Sequence, residues 1–146
     1  MFEVNVLAVN ICTREAYASM KERNVTDGHI IHINSISGHV FSPTPGLAFY
    51  GGTKHFLRAL LMGLRTEIRN TGSDIRVSEI SPGPTRTNIA EAFGGKEFAE
   101  MYMAREPHLD AVDVSNAVLY ALGSPQGVEI NDVIIYPTRH GTPKTK

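Results

Sequence analysis

The sequence predicts an α/β fold, a parallel sheet covered by helices. Three observations carry this. Short β-branched runs, each stopped by turn residues, alternate with longer segments of helical periodicity. The order helix, strand, loop, helix, strand, helix, strand is the rhythm of right-handed crossovers between parallel strands. The chain has 146 residues, 42% of them hydrophobic, enough for one core and not for two.

Asn5 to Arg23 opens the series. Val6, Val9, Cys12 and Ala16, with Leu7, Ile11 and Met20 beside them, recur at steps of three and four, which predicts an amphipathic helix. Asp27-Gly28 is a turn signal that suits its exit, and His29 to Asn34 reads as a buried strand. Ser35 to Gly46 is rich in Ser, Gly and Pro; Pro43 and Pro45 forbid regular helix, so this is a loop able to present side chains. The clearest helix is Phe49 to Arg69, with Phe56, Leu57, Leu60, Leu61, Leu64 and Ile68 in register and Asn70-Thr71-Gly72 as its exit. Asp74 to Ser81 is a second strand stopped by Pro82-Gly83-Pro84. Thr87 to Arg105, with Gly94-Gly95 inside, predicts short helices on a mobile segment. Asp110 to Leu122 is a helix with Asp113 near its start and Gly123 past its end, and Ile130 to Tyr136 is a third strand before a polar tail.

Composition removes several function classes. Fourteen Lys and Arg against fifteen Asp and Glu leave a net charge of −1 with no basic block, which argues against nucleic-acid binding and a polybasic membrane anchor. Cys12 is the only cysteine, so neither an intramolecular disulfide nor a Cys-rich zinc site is expected, and a reducing compartment fits. Arg58 interrupts the best apolar stretch, Phe56 to Leu64, so no membrane span is expected. Met1 to Asn5 lacks the pattern of a secretory signal, and a cytoplasmic location is the expectation. Six histidines are scattered without ligand spacing, and His29 and His32 point to opposite sides of a strand, so no metal site is expected.

In an open parallel sheet, ligands collect at the carboxyl ends of the strands, where the loops after Asn34 and Ser81 both lie. Ser35 opens the first loop; Tyr50 and Lys54 stand four residues apart on one face of the following helix. A tyrosine hydroxyl titrates near pH ~10, and a neighbouring ammonium favours its phenolate, which suits it to exchange protons with an alcohol or carbonyl. Ser35 would hold the substrate oxygen. Taken alone, Tyr-x-x-x-Lys fits two surface neighbours on a helix equally well.

Three segments together narrow the choice: Ile33-Asn34-Ser35-Ile36-Ser37-Gly38, then Tyr50-Gly51-Gly52-Thr53-Lys54, then Ile80-Ser81-Pro82-Gly83-Pro84-Thr85-Arg86-Thr87. In order and spacing they resemble the second half of the short-chain dehydrogenase/reductase family, from about Phe2 to Thr138. The resemblance implies a partial Rossmann-type, doubly wound sheet, second half only. It implies Tyr50 as general acid/base, Lys54 as the group that lowers its pKa and meets the nicotinamide ribose, Ser35 as the substrate-positioning hydroxyl, and Asn5 as support for a proton-relay water. Ser37 is the runner-up for the serine, because many family members use a slightly shorter Ser-to-Tyr spacing; the match to Ser-x-x-Gly ending at Gly38 favours Ser35. Pro82, Gly83, Thr85 and Thr87 fall where the family covers the nicotinamide, although Pro-Gly after a strand is also an ordinary turn. Residues 90–103 occupy the substrate segment, where Phe93, Phe98, Met101, Tyr102 and Met103 line an apolar pocket or simply fill core.

Within the family, the long Ser-to-Tyr loop and the ending Ile130-Asn131-Asp132-Val133 with Pro137-Thr138 are most similar to the subgroup that includes the insect farnesol dehydrogenases. That resemblance implies an NAD(P)-dependent oxidoreductase moving hydride between a nicotinamide cofactor and a lipophilic alcohol or ketone, a steroid, retinoid or isoprenoid such as farnesol. The cofactor is NADP or NAD, with NADP favoured by the subgroup. It also implies a homo-oligomer through the helices at 5–23 and 49–69.

The family's opening strand, its TGxxxGxG turn and the helix that receives the pyrophosphate are not in this sequence. The expectation is a single truncated domain over 1–146, lacking the Gly-rich half. The strand at His29 would then expose an apolar edge and favour association. Two readings follow: the catalytic half of an oxidoreductase, or an inactive remnant acting only through a full-length subunit.

Overall fold

Three strands form one parallel sheet in the order β1 (His29–Ile33), β2 (Arg76–Pro82), β3 (Asp132–Ile135). The structure, a computed structural model, describes residues 1–41, 45–105 and 107–141. Pro43 of the predicted loop and residues 142–146 of the predicted tail lie outside the described residues. Parallel neighbours require long crossovers. Here α2 (Ala48–Asn70) joins β1 to β2, and α3 (Ile89–Arg105) with α4 (Ala111–Leu122) joins β2 to β3. The predicted α/β class and parallel sheet are both present.

Ahead of β1 runs α1 (Val9–Glu22), continuous with a π-helical stretch over Glu3–Ala8 that contains Asn5. The helix ends before the expected Asp27-Gly28 signal. Asn24 takes the left-handed conformation at φ 54°, its N–H bonds the Lys21 carbonyl, and the Val25 N–H bonds that of Met20, which closes the last turn. The loop after β1 contains one helical turn, Ile36–Gly38, capped by Ser35, whose side chain accepts the Ser37 N–H. α3 is two helical runs meeting at Gly95, where φ is 77°. The start of α4 follows expectation, with the Asp113 carboxylate accepting the Asp110 N–H at 2.8 Å.

Period-two alternation sorts the strands onto two faces. On one, Ile30, Ile75 and Val77 pack against Leu57, Leu61, Leu64 and Ile68 of α2, with Val9, Tyr17 and Met20 of α1 at the margin. On the other, Ile80 packs with Ala117 and Ala121 of α4, bordered by Ile31 and Val133. Arg65 is the charged member of the inward stripe of α2: its Nε donates to the Val77 carbonyl at 2.9 Å and its Nη2 to that of Asn131, satisfying strand-end acceptors. β1, a buried strand by its composition, was also expected to expose an apolar edge; it is an edge strand, paired among the described residues with β2 alone, with Ile30 buried and Ile33 49% exposed.

Toward the carboxyl ends, the sheet face under α2 turns polar: His32 and Asn34 follow Ile30, and Glu79 and Ser81 follow Val77. Gly38 lets the loop turn lie against this region. A Cβ there would sit 2.6 Å from Asn34 Nδ2 and 2.9 Å from the Lys54 carbonyl oxygen. Gly38→Ala is therefore expected to destabilise the fold by about 1–3 kcal/mol through overpacking, read from urea unfolding; a midpoint equal to the parent's would show that the turn has room to move.

His32 is wedged between β1 and α1, its Nε2 3.0 Å from Thr13 Oγ1, which itself donates to the Val9 carbonyl. Burial, with Lys54 and Arg65 adding to it, lowers the imidazole from 6.5 to about 4. Between those values the unfolded chain binds a proton that the native chain does not, so stability falls as pH drops from 6.5 toward 4. His29, lowered first by burial and then by Arg76, adds in the same direction. Denaturant unfolding at pH 7 and pH 5 is expected to show a smaller loss for His32→Gln than for the parent; equal losses would exclude His32 as the group.

Candidate active site

The carboxyl ends of β1 and β2 open into a cleft of about 770 Å³. The loop after β1 contributes Ser35 and Ser37, α2 contributes Tyr50 and Lys54, and the loop after β2 contributes Pro82, Gly83, Thr85 and Thr87, all lining it. One strand end and one helix start therefore bring together the three residues on which the chemistry was predicted to rest.

Ser35 is buried and accepts the Ser37 N–H at 3.1 Å, which leaves its hydroxyl proton for the hydrogen bond it makes with the Tyr50 phenol. Of the two candidate serines, Ser35 is the one joined to Tyr50; Ser37 serves it through the backbone. Tyr50 is 9% exposed, and burial pushes its phenol above the usual value while the Ser35 hydrogen bond pulls it back. Lys54 Nζ lies 5.7 Å from the Tyr50 ring centroid. It is 3.5 Å from the carbonyl oxygens of Ile33 and Asn34, contacts long enough to leave donors available to a ligand hydroxyl. Burial lowers the Lys54 ammonium and the Glu79 carboxylate raises it.

Asn5 does not line the cleft. Its side chain donates to Thr53 Oγ1 at 3.1 Å, and that hydroxyl donates to the Tyr50 carbonyl at 2.7 Å. The π-helical stretch is thus tied to the turn of α2 between Tyr50 and Lys54. In the second loop Thr85 Oγ1 donates to the Gly83 carbonyl at 2.9 Å, and Thr85 forms an isolated parallel bridge with Leu109. Gly83 donates its N–H to the Ile135 carbonyl at 2.8 Å, and Thr87 accepts the Ile89 N–H at 3.4 Å at the start of α3.

The far wall is aromatic. Phe93 meets Tyr50 edge to face with ring centroids 5.0 Å apart, and Phe98 stacks on Tyr102 at 6.1 Å. Of the five apolar candidates on this segment, Phe93, Phe98 and Tyr102 line the cleft; Met101 is 50% exposed, and Met103 faces a separate depression beside Arg86 and Glu100.

Sequence reasoning passed over a polar cluster behind this floor. Asn34 donates its amide N–H to the Glu79 carboxylate and to the Lys54 carbonyl. His39 Nε2 lies 2.8 Å from Ser81 Oγ, 3.5 Å from Asp132 and 3.9 Å from Glu79, while Arg58 Nη1 stands 2.6 Å from His39 Nδ1. Because a guanidinium can only donate, Nδ1 accepts and Nε2 carries the proton, so the imidazole is neutral. Ligand atoms of His39, Glu79 and Asp132 lie within 4.8 Å of one another, but both nitrogens of the imidazole are already engaged. His29 and His32 reach Ser78 and Thr13 on opposite faces of the sheet. One signal for the cluster was present in the sequence: a glutamate inside a strand whose neighbours are all apolar or small.

A profile described as short chain dehydrogenase matches residues 1–117. The human protein named dehydrogenase/reductase SDR family member 11 is 47% identical over 144 residues, covering 97% of this chain and 55% of that protein. Farnesol dehydrogenase of Aedes aegypti is 39% identical over 137 residues, covering 94% and 53% respectively. The solved closed form of serine dehydrogenase complexed with NADP+ superposes with a TM-score of 0.82 at 34% identity, over 92% of this chain and 53% of that one. The chain spans about half the length of the curated relatives it matches. Because the profile runs through the strand, loop and helix that carry Ser35, Tyr50 and Lys54, and through four-fifths of the sequence, this chain belongs to the short chain dehydrogenase family.

Proposed function

We propose that this chain is the catalytic half of a nicotinamide-dependent oxidoreductase acting on a lipophilic alcohol or ketone. The observation that carries the reading is the convergence of Ser35, Tyr50 and Lys54 at the polar floor of a cleft whose opposite wall is Phe93, Phe98 and Tyr102. Such a wall suits a steroid, retinoid or isoprenoid better than a charged substrate, and farnesol is the substrate named for one relative.

Tyr50 is the group that gives the substrate oxygen its proton or takes it away, since its hydroxyl is buried at the floor and already in a hydrogen bond with Ser35. Ser35 holds the substrate oxygen against that hydroxyl. Lys54 sets the charge beside Tyr50 and offers its remaining donors to a ribose, while Asn5 supports the helix turn through Thr53. A nicotinamide dinucleotide, when bound, supplies or accepts the hydride. The residues present fit its nicotinamide end: Lys54 has donors to spare, and Pro82, Gly83, Thr85 and Thr87 edge the same cleft. The cofactor is NADP or NAD, solved relatives being complexed with NADP+ in one case and NADH in another, and NADP is favoured by the subgroup resemblance. The pyrophosphate and adenosine would be held by a Gly-rich half outside 1–146, so the chain is one truncated domain of the complete enzyme.

The outer faces of the π-helical stretch, α1 and α2 expose Leu7, Ile11, Phe49, Phe56 and Met62. Such an apolar surface favours a second copy as its cover, making the enzyme a homo-oligomer through these helices. A second reading, an inactive remnant that works by joining a full-length subunit, is favoured by the unpaired edge of β1. Among the described residues, no helix is long and apolar enough to cross a membrane.

Tyr50→Phe in the complete protein separates these readings from a structural role. Turnover of an alcohol with NADP is expected to fall by at least two orders of magnitude, the usual worth of a positioned acid/base, with circular dichroism unchanged. Retained turnover would remove Tyr50 from the chemistry.

A further inference from the structure

Glu79 takes no part in the steps above, yet it is 1% exposed, on the central strand, with its side chain on the face that α2 covers. A buried carboxylate needs partners, and leaving one unpaired is strongly destabilising. Every packed element offers a polar or charged group. From β1 comes His32, and from just past its end the Asn34 amide; from the following turn comes His39; from β3 comes Asp132. From α2 come Lys54, Arg65 and, through His39, Arg58.

These groups do not share the charge equally. His39 is neutral by its bonding pattern, and Asp132 adds a second negative charge. Arg65 donates to the carbonyls of Val77 and Asn131 and also feels the Glu79 carboxylate. Among the described residues, Asn34 makes the hydrogen bonds that connect Glu79 to the cleft floor. Its side-chain amide donates to Glu79 and to the Lys54 backbone carbonyl at 3.2 Å, and its backbone carbonyl lies 3.5 Å from Lys54 Nζ. One asparagine thus links Glu79 to the backbone and to the ammonium of the same lysine.

We propose that Glu79 is a positioning residue for the site: its fixed negative charge keeps Lys54 an ammonium, and its bond to Asn34 holds that lysine's helix turn at the cleft floor. The direction in which Glu79 moves Lys54, upward against the effect of burial, agrees with this geometry. The importance given to a charged Lys54 rests on the proposed function; the electrostatic coupling itself does not.

The sequence has five lysines, Lys21, Lys54, Lys96, Lys144 and Lys146, so the Lys54 side chain can be assigned and titrated by carbon-detected NMR without cofactor or substrate. Glu79→Gln keeps an acceptor for Asn34 and removes the charge. The expected result is a Lys54 midpoint lower by about one pH unit, a roughly tenfold shift toward the neutral amine, with the other lysines unmoved. Glu79→Asp, which keeps the charge but withdraws it by one methylene, is expected to fall between parent and Gln. An unchanged Lys54 midpoint in a folded variant overturns the proposal, and so does loss of fold in both variants, which would make Glu79 a structural residue only. In the complete enzyme, the alkaline limb of kcat is expected to move with the Lys54 midpoint. Tyr50→Phe assayed alongside keeps the two claims apart. Retained turnover there removes the chemistry while leaving the Lys54 titration standing; an inactive Tyr50→Phe with an unmoved Lys54 removes Glu79 alone.

Discussion

The cleft floor depends on the pairing of polar groups buried between α2 and the carboxyl ends of β1 and β2. Glu79, Ser81 and Asn34 are each at most 4% exposed, in a layer where an unsatisfied polar atom is penalised heavily. Asn34 answers that constraint by spanning the two strands and the helix at once, through Glu79, the Ile80 carbonyl and the Lys54 carbonyl. Any shift of α2 along the sheet would break several of these bonds together. Tyr50 and Lys54 are therefore held in register with Ser35 by hydrogen bonds rather than by apolar packing alone, and Gly38 contributes by allowing the loop to approach without a side chain in the way.

This explains the division of labour along α2. Its later turns present Leu57, Leu61, Leu64 and Ile68 to Ile30, Ile75 and Val77, which fixes the helix over the amino-terminal half of the strands. Its first turns carry Tyr50, Thr53 and Lys54 over the half where the sheet is polar. One helix is an anchor at one end and a reactive surface at the other, and the change of character in the strands beneath it follows the same line.

Much of this was legible in the sequence because it is periodic. The helices and strands followed from spacing, and the parallel sheet followed from their alternation. Ser35, Tyr50 and Lys54 stood out because three segments read together resemble a known family; the spacing of four by itself fits two surface neighbours on a helix equally well. β1 reads as a buried strand because its residues are β-branched, and its edge position was expected from the family resemblance rather than from any local pattern. What escaped is what depends on neighbours distant in sequence. The link from Asn5 to Thr53 spans 48 positions and the Asn34 contact with Glu79 spans 45, and no local pattern marks either. Met101 and Met103 share a helix with Phe98 and Tyr102, but the break at Gly95 and the packing of that helix decide which of them face the cleft.

The open edge of β1 bears on the site less than its position suggests. Ser35, Tyr50, Lys54 and Glu79 sit on β2, on α2 and on the turn after β1; beyond these elements they meet Phe93 of α3, His39 and, on β1, the Ile33 carbonyl that faces Lys54 Nζ. An edge strand frays from its unpaired side, whereas Asn34 and the Ser35 turn are held from the other side by β2 and α2. A neighbour added to the free edge would therefore cover Ile33 and satisfy the exposed backbone without needing to rebuild the floor of the cleft. The hydrogen bonds that hold Ser35, Tyr50 and Lys54 together are made with β2 and α2, and the free edge lies on the other side of β1.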